Sequence, residues 1–264
     1  MSDSTLTVAD VEALAGLLYD AASRRELVEP LTDAHPTLSV DDGYRIQDAL
    51  VARHVAAGAR VLGAKLGLTS KAKQVEMHVH EPIGAWLTDR MALAEGEDLV
   101  VASLGQARVE PEIAFGLRTD LAGADVTRED VLRATEWVAP AIEVLDSRYR
   151  DYRFTLPDVV ADEASAGRFV IGAPLSPAGL PLDLVGVVFE ADGALISTAA
   201  GAAILGHPAD AVAWWVRKIA AEGRGLDAGA VVLSGALTGA IKVSPGMVVD
   251  VTIDRLGHVG LRCR

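Results

Sequence analysis

The chain has 264 residues, 50% of them hydrophobic and 5% aromatic, with a formal net charge of -13. This is enough apolar chain for a sizeable core in one or two domains, and the acidic balance excludes nucleic-acid binding through a basic face. A single cysteine, Cys263, excludes a disulfide framework and points to a reducing, cytoplasmic setting; no run of 18 apolar residues offers a membrane span, and the polar start MSDSTLTVAD has no apolar leader core.

In chain order, the first element is a helix predicted over 8–26, with Leu14, Leu17, Leu18 and Ala21 at helical spacing and Thr7 or Asp10 to cap it. Pro30 and Pro36 interrupt the pattern. A second helix is expected over 39–57, with Ser39 as N-cap, Asp41 and Asp42 in the first turn, and Ile46, Leu50 and Val51 on one stripe. Residues 1–60 therefore read as a helical lead-in to a larger unit, 61–264. That unit opens with an apolar strand over 61–68. Its central Lys65 is either an edge lysine reaching outward or one placed for a purpose. A short helix over 69–79 and a loop or strand end over 82–89 follow.

Next come a strand carrying Glu110 and Glu112, a helix over 127–137 and a strand over 139–145. The loop 146–151 is polar, and the small, polar segment 156–167 leads into a strand over 168–171. Segments 184–190 and 194–198 flank Asp192-Gly193 and predict a β-hairpin. Residues 208–221 form a helix with Val212, Trp215 and Ile219 on one stripe, and strands over 231–233, 240–243, 248–253 and 259–262 close the chain. Strands in clusters with few helices between them predict a mixed or antiparallel β core, an α+β arrangement, and not alternating β-α units.

Candidate chemistry gathers on carboxylates. Glu110 and Glu112 lie two apart in an alternating run, so they share a strand face. Two like charges about 4 Å apart cost roughly 1 kcal/mol in water and several times more near a protein interior. Glu143 sits between Ile142 and Val144 in a second apolar run. Three strand carboxylates make an oxygen-only donor set suited to Mg2+ or Mn2+ and not to zinc; a solvated acidic face is the plainer alternative. Other motifs carry less. His78 and His80 share a strand face but have no third ligand near. His207, before Pro208, reads as a helix cap. No dinucleotide or phosphate loop is present, and Ser234 to Gly239 is not a nucleophile elbow.

Six ordered segments carry a resemblance: GAKLGLTSKAK (63–73), RVEPEIAF (108–115), PAIEVLDSRYRDYRF (140–154), VVADEASAGRFV (159–170), GAAILGHPADAVAW (201–214) and LSGALTGAIKVSPG (233–246). Together they resemble the 2-hydroxypentadienoate hydratase / 4-oxalocrotonate decarboxylase family, of the fumarylacetoacetate hydrolase-like group, which acts in meta-cleavage degradation of aromatics. The resemblance implies a mixed β-roll with peripheral helices, a divalent metal, a small 2-oxo or 2-hydroxydienoic acid substrate and a homo-oligomer, with a paralogous hydratase as a further partner. It places the metal ligands on Glu110, Glu112 and Glu143, an active-site lysine on Lys65 and an active-site serine on Ser165. Thr69 is implied as a substrate contact. Arg148 is a candidate for the substrate's distal carboxylate, with pairing to Asp146 or Asp151 as the equal alternative. Where relatives often have Asn, this chain has Glu163.

The branch is read from PIGAWLTD (82–89). Hydratases of the family look like P-D-F-G at this segment, and here Ile83 replaces the acid. Decarboxylases look like P-I-x-G followed by F-L-T-D, so the resemblance favours decarboxylation of 4-oxalocrotonate, with hydration of 2-hydroxypenta-2,4-dienoate as the alternative. Hydrolysis of an acylpyruvate C-C bond is a second alternative; it needs a general base, and Glu163 is the unusual candidate.

Overall fold

The computed structural model describes residues 6–76 and 79–264. The predicted helical lead-in is present as α1 (Val8–Arg24), a single turn α2 (Leu31–Ala34) and α3 (Val40–Ala56). Thr7 and Asp10 close α1 together as a capping box, and Ser39 with Asp42 does the same for α3, so each first turn has its free N–H groups satisfied. Leu18, Ile46 and Leu50 from these helices enclose Tyr149 and Ala161, which come from the other end of the site region. The lead-in is thereby fastened to α6 (Leu156–Ala161).

The larger sheet runs in the order β2-β1-β9-β4-β5-β6-β3: β1 (Val61–Gly67), β2 (Ile83–Thr88), β3 (Ala92–Leu93), β4 (Arg108–Leu117), β5 (Thr135–Leu145), β6 (Ala166–Ile171) and β9 (Val231–Leu233). A short β10 (Ile241–Lys242) pairs with the start of β4. Most pairs are antiparallel; β1 with β9 and β3 with β6 are parallel. A second sheet of β7 (Gly186–Ala191), β8 (Ala194–Ala200), β11 (Val248–Ile253) and β12 (Gly257–Arg262) packs on β5 and β6. The core lies between them, with Ile113, Phe115, Ile142, Phe189, Val251 and Leu261 all buried. This is the expected mixed core. The Asp192-Gly193 turn has positive φ at both residues, as a two-residue hairpin requires.

Several boundaries differ from expectation. Segment 82–89 contains a full strand, β2, buried at every one of its positions, so it lacks the alternation that marks a half-exposed strand. The helix α5 (Arg128–Ala134) stops three residues early because Thr135 to Trp137 already belong to β5. Trp137 lies across Gly116 of β4, where a Cβ would come within 2.0 Å of its ring. Segment 156–167, read only as small and polar, contains α6 and then a turn in which Glu163, Ala164 and Ser165 all have positive φ. The remaining helix α4 (Lys71–Glu76) is shorter than the expected 69–79, and α7 (Pro208–Ala220) carries Trp215 into the core. His78 lies outside the described residues. His207 caps α7, its Nδ1 accepting the Ala209 N–H at 3.1 Å.

Candidate metal centre and active site

Strand register assembles the carboxylates. Glu110 and Glu112 project from one face of β4, and Glu110 pairs directly with Glu143 of β5. One carboxylate oxygen from each lies within 4.8 Å of the others. Glu112 and Glu143 are fully buried, and Glu110 is half-buried at the wall of a cavity of about 760 Å³. Glu112 Oε2 accepts the Gly235 N–H at 2.7 Å. Its Oε1, and Glu143 Oε2, are buried with no hydrogen-bond partner among the described residues. Burial, then repulsion from Glu143, pushes Glu110 up to about 8, and burial with Glu143 and Glu110 raises Glu112 well above the ordinary carboxylate range. Buried carboxylates left unpaired are costly. A hard divalent cation would satisfy both the charge and the open lone pairs, so the donor set fits one.

Lys65 is the positive charge built into this cluster. It is 2% exposed, ion-paired to Glu143 Oε1 at 2.8 Å, and donates to the Ala164 carbonyl at 2.7 Å. Burial alone would lower the pKa of this ammonium, but Glu143 and Glu110 outweigh burial and hold it above its ordinary value. Lys65 is therefore charged at neutral pH and is no edge lysine: β2 flanks β1 on one side and β9 on the other.

The left-handed turn at 163–165 places the remaining groups. It directs the Ala164 carbonyl to Lys65 and brings Ser165 to the cavity wall, with Oγ buried and without a partner among the described residues. Three consecutive non-glycine residues at positive φ are strained, a feature that clusters at functional sites. Glu163 does not line the cavity. It turns to α3, where His54 Nε2 approaches its carboxylate at 3.4 Å. Thr69 is buried, lines the cavity and packs on Gly235.

Arg148 is corrected. It does not line the cavity and is 6% exposed. Its Nε pairs with Asp162, its Nη2 donates to the Asp162 carbonyl and its Nη1 to the Ala166 carbonyl at 2.8 Å. These bonds turn the guanidinium into the protein and away from the cavity, and its carboxylate partner is Asp162 and neither Asp146 nor Asp151. The cavity instead takes its outer positive charge from Lys71, Lys73 and Arg108. Sequence reasoning passed over these, and over the Leu237–Ala240 wall. The spacing of Arg108, two residues before Glu110 on the same strand, was the available signal.

The cleft thus ends in a buried lysine and an oxygen-only donor set fit for a divalent cation. The chain belongs to the fumarylacetoacetate (FAA) hydrolase C-terminal family, whose model matches residues 52–263. It is 42% identical to a 2-hydroxyhexa-2,4-dienoate hydratase of Comamonas testosteroni over 96% of this chain and 97% of that one. It is 37% identical to a 4-oxalocrotonate decarboxylase of Pseudomonas sp. (strain CF600), over 98% of each. Among solved structures, the 4-oxalocrotonate decarboxylase from Pseudomonas putida G7, complexed with magnesium and adipate, superposes with a TM-score of 0.96 at 34% identity, covering 99% of this chain and all of that one.

Proposed function

We propose that this protein decarboxylates 4-oxalocrotonate (2-oxohex-3-enedioate) to 2-hydroxypenta-2,4-dienoate, in cytoplasmic degradation of aromatics, with Mg2+ or Mn2+ held by Glu110, Glu112 and Glu143. The observation that carries the choice of reaction is Ile83. It is 4% exposed, lies beside Gly67 and lines the cavity. The resemblance puts the hydratases' acid at this position, and an isoleucine cannot move a proton.

When bound, the metal supplies Lewis-acid charge to the substrate's 1-carboxylate and 2-oxo oxygens. Lys65 adds a fixed positive charge beside the same oxygens, in a site where such charges are strong because water is excluded. Cleavage of the bond to the far carboxylate releases CO2. The electron pair left behind flows through the C=C bond to the 2-oxo oxygen, which then takes up a proton. Ser165 Oγ, with no partner among the described residues, donates to a substrate oxygen, and Thr69 closes the wall beside Gly235. The apolar wall of Ile83, Val159 and Leu237 offers no acid to the diene carbons, so the product leaves unhydrated.

The 42% identity to a hydratase favours a second reading, hydration of 2-hydroxypenta-2,4-dienoate. Acylpyruvate hydrolysis has less support, because Glu163 faces His54 and not the cavity. Purified protein with Mg2+ should release CO2 from 4-oxalocrotonate and hydrate 2-hydroxypenta-2,4-dienoate slowly or not at all; efficient hydration without CO2 release would overturn the reading. The protein should also be a homo-oligomer, since Leu184, Leu195 and Ile196 expose apolar surface on and beside the second sheet; a stable, active monomer in sedimentation would count against this.

A further inference from the structure

We infer that Arg108 recognises the second carboxylate of a dicarboxylate substrate and sets the preference for diacids over monoacids. The inference rests on the decarboxylase reading for the ligand's identity. Arg108 lies on the same face of β4 as Glu110 and lines the same cavity. Its guanidinium stacks over the Tyr152 ring at 4.1 Å, and Tyr152 is tethered in turn by its hydroxyl, which donates to the Gln106 carbonyl at 3.2 Å. Among the described residues the Arg108 side chain makes no hydrogen bond or ion pair. A half-buried, stacked arginine with all its N–H edges open, in a chain of net charge -13, is pre-organised for a carboxylate it does not find within the protein.

The dimensions agree. Two residues along a strand advance about 6.7 Å. A diacid with four carbons between its carboxylates spans roughly 6 Å end to end, with bonds of about 1.5 Å. A substrate with its 2-oxo acid end at Glu110 and Lys65, lying along β4 toward its start, would carry its far carboxylate to the level of Arg108. Lys71 is a weaker candidate, since it is exposed and its Nζ already donates to Gln74 Oε1 at 3.3 Å.

The role has a kinetic signature. The far carboxylate loses its charge as it becomes CO2, so Arg108 binds the ground state at least as well as the transition state. Such binding lowers KM and does not raise kcat. Removing it should raise KM by tenfold or more and change kcat much less.

The test is calorimetric titration of the Mg2+-loaded protein with 2-oxohexanedioate and 2-oxohexanoate, neither of which has the C=C bond needed to react. Wild type should bind the diacid at least tenfold more tightly. Arg108→Met should lose that preference while keeping its affinity for the monoacid, and Arg108→Lys should keep part of it. Thermal melting of each variant checks the fold. A preference unchanged in Arg108→Met, or absent in wild type, overturns the inference. CO2 release from 4-oxalocrotonate, measured on the same preparations, tests the decarboxylase reading separately: a diacid preference that needs Arg108 without CO2 release keeps the inference and sinks the reaction.

Discussion

Lys65 and Arg148 are both buried cations, and their surroundings separate their roles. Lys65 faces three carboxylates at a cavity, whereas Arg148 faces one carboxylate and two carbonyls inside the protein. Lys65→Met keeps the length and removes the charge. It should lower kcat by about two to three orders of magnitude, as losing one pre-organised oxyanion donor does, roughly 3 kcal/mol; unchanged far-ultraviolet circular dichroism would show the fold intact. Arg148→Met leaves Asp162 buried and unpaired. It should destabilise the protein by about 3–5 kcal/mol, read from urea unfolding, while KM of the folded fraction stays near the wild-type value. A large KM effect at full stability would return Arg148 to the substrate.

The element that most constrains the site is the loop between β9 and β10. Gly235, at φ +111°, gives its N–H to Glu112, and a Cβ there would sit 2.0 Å from Thr69 Oγ1. Gly235→Ala must therefore push the loop away from Thr69 and loosen the Glu112 carboxylate. Groups that orient a metal ligand are worth about 10–100-fold in affinity, so Mg2+ should bind Gly235→Ala at least tenfold more weakly in titration. Wild-type affinity would show that the loop does not position Glu112. The turn at 163–165 also constrains the site, holding Ala164 and Ser165 where an ordinary extended strand would not.

For the whole molecule, the acidic cluster couples metal, pH and stability. Without metal, Glu110 is held at about 8 in the fold, against roughly 4.3 in an unfolded chain. A raised folded value contributes stability that is fully present below the unfolded value and is lost as pH rises through about 8. Glu112 acts in the same direction. The EDTA-treated protein should thus lose stability between pH 5 and 8. Mg2+ needs the ionised carboxylates, so protons compete with it. Its effect on Tm should be small at pH 5.5 and reach about 5 °C or more at pH 8 with metal at 100-fold over its Kd. EDTA should abolish turnover, and Mg2+ or Mn2+ should restore it. A Tm shift independent of pH would mean that the metal does not sit on these carboxylates.

What the sequence determined by itself was local or periodic. Capped helices at Thr7 and Ser39, the Asp192-Gly193 hairpin, and two glutamates on one strand face all follow from short-range spacing. Glu143 and Lys65 stood out as charged residues in apolar runs, and the ordered motifs added the family resemblance that gave Lys65 and Ser165 their roles. The tertiary structure decided what depends on register and on packing across the sheet. Glu143 meets Glu110 because β5 pairs with β4 at that one offset, and a slip of one residue would turn it to the opposite face. Arg148 sits in the same motif as Glu143 yet points into the protein, because Asp162 and the strained turn after α6 lie there. Arg108 reaches the cavity only through the same β4 face and the Tyr152 ring, 44 positions downstream, that holds it. Spacing along a chain reports which residues share a face; which faces close on one another is fixed by the burial of the two sheets.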